Sequence, residues 1–221
     1  MRTLVINFKN YSEVLGEGSL KLAAAAARAA SRCDHEIVVA PPAFMLGEVA
    51  MKVEIPVFSQ SLSGEAGEKT TGACLPEAVR SAGGSGSLLN HSEARKPAAE
   101  LGALVRRSRA AGLKVCLCAN GSREAASLSL LGTEYIAVEP PELIGSGVAV
   151  SRARPGVVKA TVQAARKSGY RGRVLCGAGI VDGIDVEKAV ALGADGVLVS
   201  SSVVKAKNWE KKIGELARSL D

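Results

Sequence analysis

Aromatic side chains are scarce, at 3% of 221 residues, with one Trp, three Tyr and three Phe. Since 47% of the residues are hydrophobic, the interior must be packed from Ala, Val, Leu and Ile, a composition that favours parallel strands buried under helices over sandwiches. The same scarcity argues against nucleic acid as a partner, because the net charge of +6 comes from dispersed basic residues with few rings among them to stack bases. The densest groups, Arg106, Arg107 and Arg109, then Arg166, Lys167, Arg171 and Arg173, read as solvated surface. The five cysteines, Cys33, Cys74, Cys116, Cys118 and Cys176, are odd in number and lack CxxC spacing, which leaves them as small apolar fillers in a reducing compartment. No apolar run approaches the ~18 residues of a membrane span, so no membrane partner is expected. Met1 to Asn7 runs straight into a strand pattern without a signal-peptide core, and a soluble, cytoplasmic protein is expected. A Ser/Gly linker is also missing, since Gly83 to Ser87 is only a loop before the next apolar run. Residues 1–221 are therefore expected to form one domain.

What is present is an alternation. Strand-length apolar runs recur at Leu4–Asn7, Ile37–Ala40, Val57–Gln60, Ser87–Asn90, Val115–Ala119, Ile136–Glu139, Val174–Gly177 and Val197–Ser200. Helical patterns lie between and after them, at Gly18–Ser31, Ala43–Met51, Pro76–Ala82, Pro97–Ala111, Ser122–Leu131, Pro155–Ser168, Gly183–Leu192 and Trp209–Leu220. Pro76, Pro97 and Pro155 stand where a first helical turn tolerates a missing N–H, and Gly83, Gly112, Gly132, Gly169 and Gly193 stand as stops. Eight such units predict an α/β fold of the (β/α)8 barrel type, with an open doubly wound sheet as the competitor.

A barrel carries its chemistry at the C-terminal ends of its strands. The first run ends in Asn7-Phe8-Lys9, the fourth in Asn90-His91-Ser92-Glu93, the sixth in Glu139, the seventh in Gly177-Ala178-Gly179 and the eighth in Ser200-Ser201-Ser202. A carboxylate base, an imidazole that can donate a hydrogen bond and an ammonium suit proton abstraction beside a carbonyl, where an enediolate must be stabilised as it forms. The small residues after the seventh and eighth runs let backbone N–H groups close on an anion, so a phosphorylated substrate is expected. Pro140 and Pro141 make a stiff exit after Glu139, and Gly145 and Gly147 a pliable tip. Glu93 has two readings, orienting Lys9 or Arg95, or capping. His35 precedes the second run, on the opposite rim, and is assigned no role.

Four segments together, Asn7-Phe8-Lys9, Asn90-His91-Ser92-Glu93, Ala137-Val138-Glu139-Pro140-Pro141-Glu142-Leu143-Ile144-Gly145 and Cys176-Gly177-Ala178-Gly179-Ile180, resemble the triosephosphate isomerase family in its shorter archaeal-type branch. The likeness runs from about Val5 to Lys207. It implies the barrel, no metal and no cofactor, and interconversion of dihydroxyacetone phosphate and D-glyceraldehyde 3-phosphate in glycolysis and gluconeogenesis. By that resemblance Glu139 matches the base, His91 the electrophile and Lys9 the cation. Asn7, Phe8 and Lys9 match substrate contacts, and Ile144, Gly145, Gly179, Ser200 and Ser201 match the phosphate site. A homo-oligomer, a tetramer by the archaeal resemblance, is expected from the Thr71-Gly72 pair. Ser200-Ser201-Ser202 departs from the family pattern, where smaller residues are common, and Ser61 stands where relatives often have His. Two competing readings are a different phosphate-binding barrel enzyme, suggested by Gly193 to Val199, and a catalytically silent barrel that binds a phosphorylated metabolite.

Overall fold

The computed structural model describes residues 1–64, 69–140 and 154–221. Eight parallel strands form one sheet in the order β2-β1-β8-β7-β6-β5-β4-β3. They are β1 (Thr3–Asn7), β2 (Glu36–Ala40), β3 (Phe58–Ser59), β4 (Gly86–Leu89), β5 (Lys114–Ala119), β6 (Tyr135–Val138), β7 (Arg173–Cys176) and β8 (Gly196–Val199). The two edges of that order meet at a parallel bridge between Val39 and Val57, so the sheet rolls into the expected (β/α)8 barrel. The helices of the described residues are α1 (Glu17–Ala30), α2 (Leu46–Lys52), α3 (Pro76–Ser81), α4 (Ala98–Ala110), α5 (Ser122–Ser129), α6 (Pro155–Lys167), α7 (Gly183–Ala191), α8 (Ser201–Val204) and α9 (Trp209–Arg218). None is long and apolar enough to cross a membrane.

Local chemistry sets these boundaries. Asp182 accepts from the Asp185 N–H while Asp185 returns a carboxylate oxygen to the Asp182 N–H, a reciprocal cap that starts α7. Asn208 caps α9 through the Lys211 N–H. The five expected stop glycines all take left-handed φ, between 65° at Gly132 and 96° at Gly193. Gly196 opens β8 because a Cβ there would fall 2.0 Å from the Thr3 carbonyl oxygen on β1. Three details differ from expectation. The third run pairs with β4 only over Phe58–Ser59, the second helix opens with a 3-10 turn at Ala43–Met45, and two short turns, Ser12–Val14 and α8, occupy stretches read as loop.

The strand alternation sorts side chains into two cores. Leu4, Ile6 and Phe8 face outward to the helices, whereas Val5, Val38, Phe58, Leu88, Cys116, Cys118, Leu175 and Leu198 fill the barrel. Tyr135 joins this inner set, its ring edge-on to Phe58 with centroids 6.0 Å apart. The inner core ends at an ionic floor. Glu36 accepts from Tyr135 Oη at 2.8 Å, Arg173 Nη1 at 2.5 Å, Lys114 Nζ at 3.2 Å and Thr3 Oγ1 at 3.2 Å, from four other strands. Burial pushes the Glu36 carboxyl upward, but the Tyr135 hydrogen bond and the Lys114 and Arg173 cations outweigh it and hold it below the usual range. Arg173, expected on a solvated surface, is thus part of the barrel floor. His35 lies on the same rim, with Nε2 3.0 Å from Asp221 Oδ1 at the end of the chain.

Candidate active site

At the opposite rim the strand ends deliver their polar groups. After β1 the chain turns sharply, with Lys9 at φ 50°, and Asn7 Oδ1 accepts the Lys9 N–H at 3.0 Å. Gln60 braces the turn from beyond β3, donating to the carbonyls of Lys9 at 2.9 Å and Ala40 at 3.1 Å. The Lys9 ammonium then lies 2.6 Å from Glu93 Oε1, while Arg95 pairs with Glu124 instead. Of the two readings of Glu93, orientation of Lys9 is the one this geometry supports.

His91 follows β4 and is 4% exposed. Its Nδ1 accepts the Glu93 backbone N–H at 3.1 Å. An imidazole nitrogen that accepts carries no proton, so the neutral ring has its hydrogen on Nε2. That nitrogen faces Glu139 Oε1 at 3.6 Å.

Glu139 extends the β6 ladder by one step, donating its N–H to the Ala119 carbonyl at 2.8 Å. Its carboxylate is buried at 2% exposure, and Oε2 has no hydrogen-bond partner among the described residues. Burial pushes its pKa above the ordinary 4.5, although His91, Cys118 and Lys9 pull the other way. Gly177 makes this placement possible, because a Cβ there would sit 2.6 Å from Glu139 Cγ. Beneath the carboxylate, Cys118 and Cys116 are packed inside the barrel. The Cys118 thiol is pushed well up by Cys116, by burial and by the Glu139 charge, in keeping with a filler role.

The turns after β7 and β8 close one wall of a cavity of about 280 Å³ whose lining includes Lys9, Tyr11, His91, Glu139, Gly177 to Val181, Ser200 to Ser202 and Lys205. Gly179 adopts φ 70° there. The Ser200 and Ser202 hydroxyls are buried without a partner among the described residues. Of the predicted site residues, Lys9, His91, Glu139, Gly179, Ser200 and Ser201 therefore surround one space. Asn7 borders an adjoining cleft that shares Lys9, Tyr11 and His91. Phe8 does not line either cavity; its ring is fully buried among outward-facing core residues, so it can contribute only backbone. Ile144 and Gly145 lie outside the described residues. The sequence reading missed Tyr11 and Lys205, whose Nζ sits 4.8 Å from the Tyr11 ring centroid. Among the described residues no group of three His, Cys, Asp or Glu is placed to hold a metal ion.

A sequence model of the triosephosphate isomerase family matches residues 2–216, a span that contains every residue lining the cavity. The chain belongs to the triosephosphate isomerase family. Curated triosephosphate isomerases resemble it end to end: that of Cenarchaeum symbiosum is 44% identical over 98% of this chain and 97% of its own length. The Caldivirga maquilingensis enzyme is 43% identical over 98% and 96%, and the Methanocaldococcus jannaschii enzyme 41% over 98% and 99%.

Proposed function

We propose that this protein interconverts dihydroxyacetone phosphate and D-glyceraldehyde 3-phosphate, with Glu139 as the base, His91 as the electrophile and Lys9 as the cation. One observation carries the reading, a buried carboxylate whose Oε1 faces the protonated nitrogen of a neutral imidazole and whose Oε2 has no hydrogen-bond partner among the described residues. With dihydroxyacetone phosphate in the cavity, Glu139 takes a proton from C1 as the C–H bond breaks, and the electron pair moves onto the C2 oxygen. His91 Nε2–H stabilises that oxyanion, and Lys9 offsets the charge. The O1 hydroxyl proton passes to O2 by way of His91 Nε2, and return of the carbon-bound proton from Glu139 to C2 as the C1–O1 double bond forms gives the aldose, so atoms and electrons balance without a redox partner. Gly179, Ser200 and Ser201, together with Ile144 and Gly145 from outside the described residues, are assigned to the phosphate, and Asn7 to the substrate beside Lys9. The relatives, each a triosephosphate isomerase by name, support the same substrate class.

A coupled assay that follows glyceraldehyde 3-phosphate formation tests this directly. Turnover of dihydroxyacetone phosphate is expected. Binding without turnover would leave only the silent-barrel reading, and turnover of another phosphate ester alone would favour the other barrel class.

The same reading places the protein in the cytoplasm, in glycolysis and gluconeogenesis, with no cofactor. It also extends to a homotetramer. Thr71 is exposed at a turn, and Phe44, 99% exposed, borders a groove of about 460 Å³ with Gln60, Ser61 and Cys74, a surface suited to a second copy. A monomer by light scattering at micromolar concentration would overturn the assembly without touching the chemistry.

A further inference from the structure

The proposed reaction asks side chains after β4 and β6 to keep one geometry, yet β5 stands between those strands. Asn90 spans the gap. It is 1% exposed and holds φ 63°, a left-handed conformation, immediately before His91. Its Nδ2 donates to the Cys118 carbonyl on β5 at 3.0 Å and to Glu124 Oε1 on α5 at 3.1 Å. Its Oδ1 accepts the Lys96 N–H at 3.3 Å. Its carbonyl, half of the peptide group leading into His91, accepts from Arg95 Nη1 at 3.0 Å. Arg95 closes a ring by placing Nη2 2.5 Å from Glu124 Oε1. The second Glu124 oxygen accepts the Asn120 N–H at 2.8 Å, which fixes the carboxylate to the turn between β5 and α5.

We propose that Glu124 is a positioning residue for His91, acting through Asn90 and Arg95; the catalytic meaning of this inference rests on the isomerase reading above. Three N–H donors converge on its two oxygens, an arrangement that only an acceptor-only group satisfies. A Gln at 124 turns its NH2 either toward Asn120 or toward Asn90 and Arg95, so one donor always meets a donor. The ring then loosens at the peptide that aims His91 at the space beside Glu139. Displacement of a reacting group by about 1 Å costs on the order of 10²-fold in rate.

The test pairs Glu124→Gln with Asn90→Gly, which removes the side-chain bonds while accepting the left-handed φ without strain. For both, kcat is expected to fall by about 10- to 100-fold with KM changing by less than about threefold. The chain has two histidines, so selective 15N-histidine labelling reads the ring of His91 separately from that of His35. The Nε2-protonated pattern of His91 should shift toward a tautomer mixture in both variants while His35 stays unchanged. Glu77→Gln, which breaks a two-bond pair with Arg107 at 2.7 and 2.8 Å between α3 and α4, should leave kcat and both histidine signals alone. Wild-type kcat in both ring variants, or a kcat loss in folded protein with unchanged His91 signals, overturns the proposal. If the wild-type protein has no isomerase activity, that reading fails on its own, and the 15N signals still decide whether the ring positions His91.

Discussion

Gly177→Ala adds one methyl group at the closest approach to Glu139. Gly177 is outside the left-handed region, so backbone strain plays no part; the constraint is space. The new Cβ would lie 2.6 Å from Glu139 Cγ and 3.2 Å from both Cδ and Oε1. Carbon atoms rest at about 3.5–4.0 Å, so the overlap is roughly 1 Å. Glu139 is buried, and its carboxylate must swing by a comparable amount from its place beside His91 Nε2. Such a displacement is worth on the order of 10² in kcat, or about 2.7 kcal/mol. Overpacking itself costs about 1–3 kcal/mol, which lowers Tm by roughly 2–12 °C for a chain of this size and leaves it folded at 25 °C. The coupled assay gives kcat and KM, inhibition by inorganic phosphate gauges the anion loops, and circular dichroism follows melting. Expected are a kcat loss near 10² and phosphate inhibition within about threefold of wild type. Wild-type kcat in the folded variant would refute the claim that Gly177 sets the position of Glu139.

Glu139→Gln should cost 10² to 10⁴ in kcat, by about the usual worth of a general base, while raising Tm at neutral pH. Because burial raises the Glu139 pKa in the folded state, its contribution to stability is present at low pH and lost as pH rises through that raised value. A lower Tm for the Gln variant at pH 7 would contradict this. The acid limb of kcat/KM in the wild-type enzyme should correspondingly lie above the ordinary 4.5. Lys205→Gln should raise KM by about fivefold, from about 1 kcal/mol of charge interaction, and do so less as salt increases; a KM unchanged at low salt would remove Lys205 from the phosphate's surroundings. Glu36 has the opposite sign, since its folded pKa is lowered. The stability it confers is complete above 4.5 and disappears as pH falls through the folded value. The Tm gap between wild type and Glu36→Gln should therefore close on acidification, and a gap independent of pH would mean that the floor does not depend on this charge.

The strand ends were legible because buried parallel strands announce themselves as β-branched runs, and the groups that end them follow from barrel geometry alone. Lys9, His91 and Glu139 could be placed on one rim before any contact was known. Arg173 could not be placed. It opens β7 like any basic residue at a strand start, and its partner Glu36 stands 137 positions earlier. Lys205 and Tyr11 are hidden for the same reason, their contact joining opposite ends of the chain. Asn90 was visible as a member of a motif, but its left-handed φ and its bonds to Cys118 and Glu124 belong to the packed state.

The single bridge at Val39 and Val57 has a kinetic meaning. Strands β1 and β8 pair over a four-residue register, although joining them closes a loop of most of the chain. Strands β2 and β3 are neighbours in sequence and share only that bridge. The entropy of loop closure grows with the logarithm of length, so the four-pair ladder of β1 with β8 offsets the most demanding closure in the barrel, while the thin β2–β3 contact falls at a short one. The barrel is thereby stapled firmly at its termini and lightly along one local seam. Partial opening of the native state should begin there, with amides of Val39 and Val57 exchanging their hydrogens before those of Leu4, Val5 and Leu198.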